Sequence, residues 1–333
     1  MTSSELGKWP TTVICIPTFQ CNQKCRLCGQ ANTRRDLVAK HPEAPALITE
    51  VLENIPSSTG VHFTGGEPLL SPNIIRYFSI LSDRNIPFTL STNGTEIGKL
   101  LPGLVRYPPD TIVISLDTLD PDLYAHFTAT QRGTLRQVMD CVRILREARS
   151  SNLPRIKLNL TVRPENVLQI VSVAAEAKSI GFDEMSVSQL QWRRGEVLDV
   201  TSNAPTDGEL ASSRIETSDL IAQMRALPEW VEKHPDVQNG ELERFYKDKT
   251  FFLSDRCTWP WHGCYLLPNG EVHSCAHFRM GSVSSKSLSG VWTDRKYNHF
   301  RKRVHRSILP ACRTCCHLMF ERSIIKRFIE KEG

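Results

Sequence analysis

Short apolar, β-branched runs alternate with longer amphipathic ones from residue 12 to about 190, the pattern of repeated βα units around a parallel sheet. Six candidate strands stand out: Val13–Ile16, Val61–Thr64, Phe88–Thr92, Thr111–Leu116, Arg155–Val162 and Glu184–Ser188. Helical spacing is clearest at Leu135–Arg149, where Leu135, Val138, Val142 and Leu145 share one face while Arg136, Arg143 and Arg146 lie largely off it. In the fifth run Ile156, Leu158, Leu160 and Val162 alternate with Lys157, Asn159, Thr161 and Arg163, so one sheet face is apolar and the other polar. A polar face turned inward implies a barrel whose lumen takes a ligand. Six strands make an incomplete, open-sided version of the eight-stranded barrel, with ligand-binding groups at the carboxyl ends of the strands. The predicted fold class is therefore α/β, a partial (β/α)6 TIM-like barrel.

The pattern changes beyond residue 192. Residues 193–255 are rich in Ser, Thr, Asp and Glu, with helices predicted near 217–227 and 240–248, and read as a bridging helical segment. Farther on, Tyr265–Pro268 and Glu271–Ser274 flank Asn269-Gly270, a strong hairpin signal. Helices are predicted at 286–305 and 313–331. The expected organisation is a barrel over 1–192, a bridge over 193–255 and a small C-terminal domain over 256–333.

With 333 residues, 40% of them hydrophobic, the chain can bury a substantial core without disulfide staples. No run of about 18 apolar residues occurs, and residues 1–12 lack the plan of a signal peptide. The expectation is a cytoplasmic protein with no membrane partner. Eleven cysteines in such a chain point to metal or redox chemistry. Only Cys15 and Cys141, read as small buried residues, fall outside two groups at 21–28 and 257–316. The formal charge of +5 drops by about three units once seven thiolates hold two clusters, so nucleic acid is not indicated. The basic stretch Arg295–Arg306, with Lys296, Arg301, Lys302 and Arg303, reads as a solvated helix face.

Cys21, Cys25 and Cys28 present three thiols within eight residues, directly after a predicted strand. A structural zinc site takes four protein ligands, and no fourth Cys or His lies nearby. A 4Fe-4S cluster ordinarily takes four cysteines, so three leave one iron open. Thr64-Gly65-Gly66-Glu67-Pro68 closes the second strand, Ser91-Thr92-Asn93-Gly94 the third, and Ile114-Ser115-Leu116-Asp117-Thr118-Leu119-Asp120-Pro121 the fourth. From about residue 12 to 190 these motifs resemble the radical S-adenosylmethionine (SAM) superfamily. The resemblance implies that Cys21, Cys25 and Cys28 hold a 4Fe-4S cluster whose open iron is chelated by the methionyl amine and carboxylate of SAM. It further implies that Gly65, Gly66 and Glu67 hold the SAM amino group, that Ser115 bonds the ribose, and that Thr92 lines the same pocket; Asn159 is a further candidate. Leu27 stands where the family often has an aromatic residue beside the adenine.

Cys257, Gly270 and Cys275, followed by Cys312-x2-Cys315, resemble the SPASM/twitch auxiliary-cluster domain. In its short form the four cysteines would ligate one further 4Fe-4S cluster, giving two in all; a four-cysteine zinc site has similar spacings. The hairpin folds Cys275 back toward Cys257. Cys264 and Cys316 are left over, either as buried thiols or substitute ligands, or as hydrogen-atom donors to a substrate radical. His262, His273 and His277 read as polar packing.

The resemblance implies cleavage of SAM to a 5′-deoxyadenosyl radical that takes a hydrogen atom from substrate, with a flavodoxin- or ferredoxin-type electron donor. Dehydrogenation, epimerisation and decarboxylation all fit. The twenty residues before Cys21 favour a small molecule over a peptide, and by analogy a sugar, aminocyclitol or sugar nucleoside of an antibiotic pathway. Peptide maturation is the alternative within the family. A non-catalytic iron–sulfur carrier or scaffold is the alternative outside it.

Overall fold

A computed structural model describes residues 7–188, 215–232, 257–275 and 278–306. One ten-stranded sheet organises them, in the order β10-β9-β8-β1-β2-β3-β4-β5-β6-β7. Its first six strands are Thr12–Cys15, Gly60–Phe63, Phe88–Thr92, Thr111–Ser115, Arg155–Thr161 and Glu184–Ser188 (β1–β6), each parallel to the next. They lie within a residue of the expected runs at each end, because period-2 burial is a local property of the chain. Parallel pairing delivers the carboxyl ends of all six to one rim, where the partial barrel opens.

The two faces differ as the alternation requires. On β5, Ile156, Leu158 and Leu160 are fully buried, while Lys157, Asn159 and Thr161 are only partly covered. The apolar face packs on helices such as Gly133–Ala148 and Ile170–Ile180, which supply Val138, Val142, Leu145, Ala174 and Ala177 to one continuous core. Phe63, Phe78 and Phe88 pack edge-on and tilted in the same core, with centroids 5.1–6.3 Å apart, the separations at which aromatic pairs are favourable.

Two features depart from expectation. Helix Thr217–Ala226 leads into Val231–Glu232 (β7), which pairs in parallel with β6; part of the expected bridge thus extends the barrel sheet. The C-terminal hairpin, Gly263–Leu266 (β8) with Glu271–Cys275 (β9), joins that sheet as well, since β8 runs parallel to β1 with Cys264 opposite Val13. A further strand, Phe278–Ser282 (β10), pairs antiparallel with β9.

The helix expected at 286–305 is two, Leu288–Trp292 and Arg295–Arg306. Ser287 caps the first by accepting from Gly290 N, and Asp294 accepts from Lys296 N at the start of the second. The predicted helices at 240–248 and 313–331 lie outside the described residues. Among the described residues no helix is long and apolar enough to cross a membrane.

Candidate functional site

A pocket of about 210 Å³ opens at the carboxyl rim. The loop after β1 brings Cys21, Cys25 and Cys28 to its wall. That loop is held by the main chain: Lys24 N donates to Thr128 O and Arg26 N to Phe127 O, and Cys28 N closes a turn on Cys25 O. Arg34 adds a bond from Nη1 to Gln23 O at 2.6 Å. The fold therefore fixes the backbone carrying the thiols, leaving their side chains to face the pocket.

The Gly-Gly-Glu segment braces this loop from below. Gly66 N donates to Thr18 O and Glu67 N to Gln20 O at 2.7 Å. A Cβ on Gly66 would stand 2.1 Å from Gln20 O and 2.6 Å from Phe19 O, and one on Gly65, whose φ is +136°, 2.6 Å from Ile16 Cγ2. Beyond the SAM contact that the resemblance implies for Gly65 and Gly66, both glycines admit the close approach of the chain that leads into the cluster loop.

Glu67 is a strut. It is 1% exposed, and its Oε1 accepts from Leu69 N and Thr92 Oγ1 while Oε2 accepts from Asn93 N at 2.7 Å. Thr92 Oγ1 in turn accepts from Gly94 N. The three donors favour an ionised carboxylate, yet burial outweighs them and raises Glu67 to about 7. Because that value lies above the ordinary 4.5, the folded state binds the extra proton, and the stability linked to Glu67 falls as pH rises from about 4.5 to about 7. Accordingly, the excess melting temperature of wild type over Glu67→Gln should shrink between pH 5 and pH 7.5 in thermal scans. A constant difference would refute that linkage.

Ser115 lines the pocket on β4, as do Gly65, Gly66, Glu67 and Thr92. Asn159 does not, although it stands opposite Ser115 in the register; its Oδ1 accepts from the Ser186 and Ser188 hydroxyls on β6. An ion pair that no sequence motif marks also lines the pocket, just past the ends of β4 and β5. Arg163 donates to Asp117 Oδ2 from Nε at 2.8 Å and from Nη2 at 2.6 Å, its guanidinium 4.3 Å from the Phe127 centroid. Asp117 Oδ1 also accepts from Thr161 N, tying β4 to β5. The signal was present: Arg163 continues the polar register of Lys157, Asn159 and Thr161.

The donor set suits a metal cluster. Burial, together with the neighbouring Cys28 and Cys21, pushes the Cys25 thiol up to about 12, and burial also raises Cys21. Thiols crowded so lose their protons only to a strongly positive centre. Among the described residues no group of three or more His, Cys, Asp or Glu is placed to grip a single metal ion.

At the second site, Cys257 precedes helix Trp259–His262 and Cys275 ends β9. The turn between β8 and β9 closes through Gly270 N to Leu267 O, with Gly270 at φ +80° and packed on Leu47. Cys312, Cys315 and Cys316, together with His277, lie outside the described residues. Cys264 does not reach the pocket. It is fully buried in the core beside Cys15, its thiol raised to about 12 by burial; a hydrogen-atom donor must meet its substrate, and this one faces the helices.

Residues 15–177 match the family model of the radical SAM superfamily, and residues 257–316 that of an iron-sulfur cluster-binding domain, SPASM. The chain belongs to the radical SAM superfamily. Within it, the GTP 3′,8-cyclase of Mycobacterium marinum is 31% identical over 207 residues, 58% of this chain and 56% of that one. This chain thus spans about half the length of such relatives. A tungsten-containing aldehyde ferredoxin oxidoreductase cofactor-modifying protein of Pyrococcus furiosus is 23% identical over 90% of this chain and 85% of its own. The radical SAM fold is shared with Streptococcus suis SuiB bound to S-adenosylmethionine, at a TM-score of 0.66, 17% identity, and coverage of 94% of this chain and 72% of that one.

Proposed function

We propose that this protein cleaves SAM reductively and directs the resulting 5′-deoxyadenosyl radical to a hydrogen atom of a small, hydroxylated substrate. The observation that carries the reading is the single pocket bringing Cys21, Cys25, Cys28, Gly65–Glu67, Thr92 and Ser115 to one rim. A 4Fe-4S cluster on the three thiolates would supply the electron that splits the sulfonium carbon–sulfur bond. This chain's own residues bind and orient. Glu67 holds the end of β3 against the cluster loop, Ser115 offers a hydroxyl toward a ribose, and the Asp117–Arg163 pair lines the same pocket. A second 4Fe-4S cluster would be ligated by Cys257, Cys275, Cys312 and Cys315, with reducing equivalents from a flavodoxin- or ferredoxin-type donor.

The polar side chains that line the pocket, among them Ser91, Thr92, Asn93 and Ser115, support a substrate recognised through hydroxyl and amide groups, such as a sugar, aminocyclitol or sugar nucleoside. The likeness to GTP 3′,8-cyclase supports a nucleoside-like substrate in the same sense. Dehydrogenation, epimerisation and decarboxylation all begin with this abstraction, and Cys316 is a candidate donor where a hydrogen atom is returned.

The test is anaerobic reconstitution with iron and sulfide, followed by SAM and dithionite. 5′-Deoxyadenosine is expected from the wild type, and Cys25→Ser should lower it by about 100-fold or more through loss of one ligand. Deuterated sugars, nucleosides and short peptides, screened for label transfer into 5′-deoxyadenosine, then separate the substrate classes. No SAM cleavage by fully reconstituted protein with any of them would leave an electron carrier as the better reading.

A further inference from the structure

Gln23 stands on the cluster loop between Cys21 and Cys25, lines the pocket and is 4% exposed. Both ends of its amide are engaged: Nε2 donates to the Tyr124 hydroxyl at 2.9 Å, and Oε1 accepts from Cys25 Sγ at 3.4 Å. Tyr124 is 2% exposed, on the helix Pro121–Thr128 whose end also holds the main chain of Lys24 and Arg26. Arg34 fixes the Gln23 carbonyl. The side chain therefore works from a pinned backbone against a pinned partner.

This arrangement suits a thiol and opposes a thiolate. A cysteine that ligates a metal has lost its hydrogen, so its sulfur only accepts, and an amide oxygen aimed at it in a buried site is repulsive. A half-turn of the amide removes the conflict, because it exchanges nitrogen and oxygen and moves no other heavy atom. The amide N–H then faces the Cys25 sulfur, and Oε1 accepts from Tyr124, whose hydroxyl donates as readily as it accepts. Every buried polar atom of the pair keeps a partner. Cys21 already has donors of this kind. Asn93 Nδ2 donates to its sulfur at 4.0 Å, the Asn93 oxygen being taken by Thr95 N and Oγ1. The main-chain N–H of Gln23 bonds Cys21 as well, opposing the burial that raises that thiol.

We propose that Gln23, oriented by Tyr124, donates a hydrogen bond to the Cys25 sulfur of the loaded N-terminal cluster and raises its reduction potential. The inference rests on the cluster reading of Cys21, Cys25 and Cys28 given above. An N–H aimed at a ligand sulfur stabilises the cluster more as it becomes more negative, so it favours the reduced state; hydrogen bonds to the sulfurs are among the levers that set the potential. Gln23 is thus a positioning residue acting through Cys25, and it makes the cluster easier for an external donor to reduce.

The test is a potentiometric titration of the reconstituted full chain, followed by electron paramagnetic resonance. The signal to follow is the one that SAM alters in a parallel sample, since SAM binds the open iron. Gln23→Leu removes the amide at similar volume. It is expected to lower the reduced-to-oxidised ratio at the wild-type midpoint about tenfold, a shift of about 59 mV for a one-electron couple. Tyr124→Phe keeps the amide and loses the hydroxyl that orients it, and should lower the same ratio by about threefold. An unchanged midpoint in Gln23→Leu with full iron overturns the proposal. Should that variant fail to load or fold, Tyr124→Phe decides alone, and an unchanged midpoint there overturns it. A wild-type chain whose signals do not respond to SAM, or that takes up no iron at the three cysteines, instead overturns the cluster reading beneath it.

Discussion

Gly66→Ala is expected to lose iron from the N-terminal site and to lower 5′-deoxyadenosine formation by about 100-fold or more, the scale of a 1 Å misplacement of reacting groups. The reason is steric and local. The added methyl would fall 2.1 Å from Gln20 O and 2.6 Å from Phe19 O, both backbone atoms with no flexible end to swing away. Relief requires the β1 loop to lift off the Gly-Gly-Glu segment, breaking Gly66 N to Thr18 O and Glu67 N to Gln20 O. Cys21 follows Gln20 directly, so the loop cannot lift without moving a thiol. Iron and acid-labile sulfide per chain, measured beside SAM cleavage, check this. Full iron with a near-wild-type rate would show that the segments do not bear on one another.

Asp117→Ala should destabilise the fold by about 3–5 kcal/mol, the usual result of stripping a buried cation of its partner. The Arg163 side chain is 8% exposed and that of Asp117 16%, so water can replace little of what is lost. Asp117 Oδ1 also anchors Thr161 N, so the ends of β4 and β5 loosen together when the side chain is removed. Replacing both partners, Asp117→Ala with Arg163→Met, removes the stranded charge and should recover a good part of the loss. Urea denaturation of the iron-free chain, followed by circular dichroism, gives the cycle. A single-variant loss under about 1 kcal/mol would place the pair among exposed ion pairs of little consequence.

The barrel was legible because its signals are short-range. Alternation on Ile156–Arg163 and helical spacing on Leu135–Leu145 specify element type without knowledge of neighbours, and the polar register of β5 foretold the lumen. The pocket's membership was legible in part: Cys21, Cys25, Cys28, Gly65–Glu67, Thr92 and Ser115 do meet at one rim. Asn159 shares their register but lies off the pocket wall. Arg163 was visible in the same alternation and was passed over because no motif marked it.

By itself, then, the amino-acid sequence determined the βα order, the face of the fifth strand that turns to the lumen, and the residue types needed for cluster chemistry. The tertiary structure alone decided which distant segments meet. It shows that Gly66 is required by the carbonyl of Gln20, and that Glu67 spends its oxygens on Thr92 and Asn93. It also buries Cys264 among helices rather than at the mouth, joins β8 to β1, and hides Arg301 of an otherwise basic helix against the touching rings of Trp292 and Tyr297. The division has a physical cause: periodicity and propensity act over a few residues, whereas burial, field and steric contact depend on atoms brought close from elsewhere in the chain.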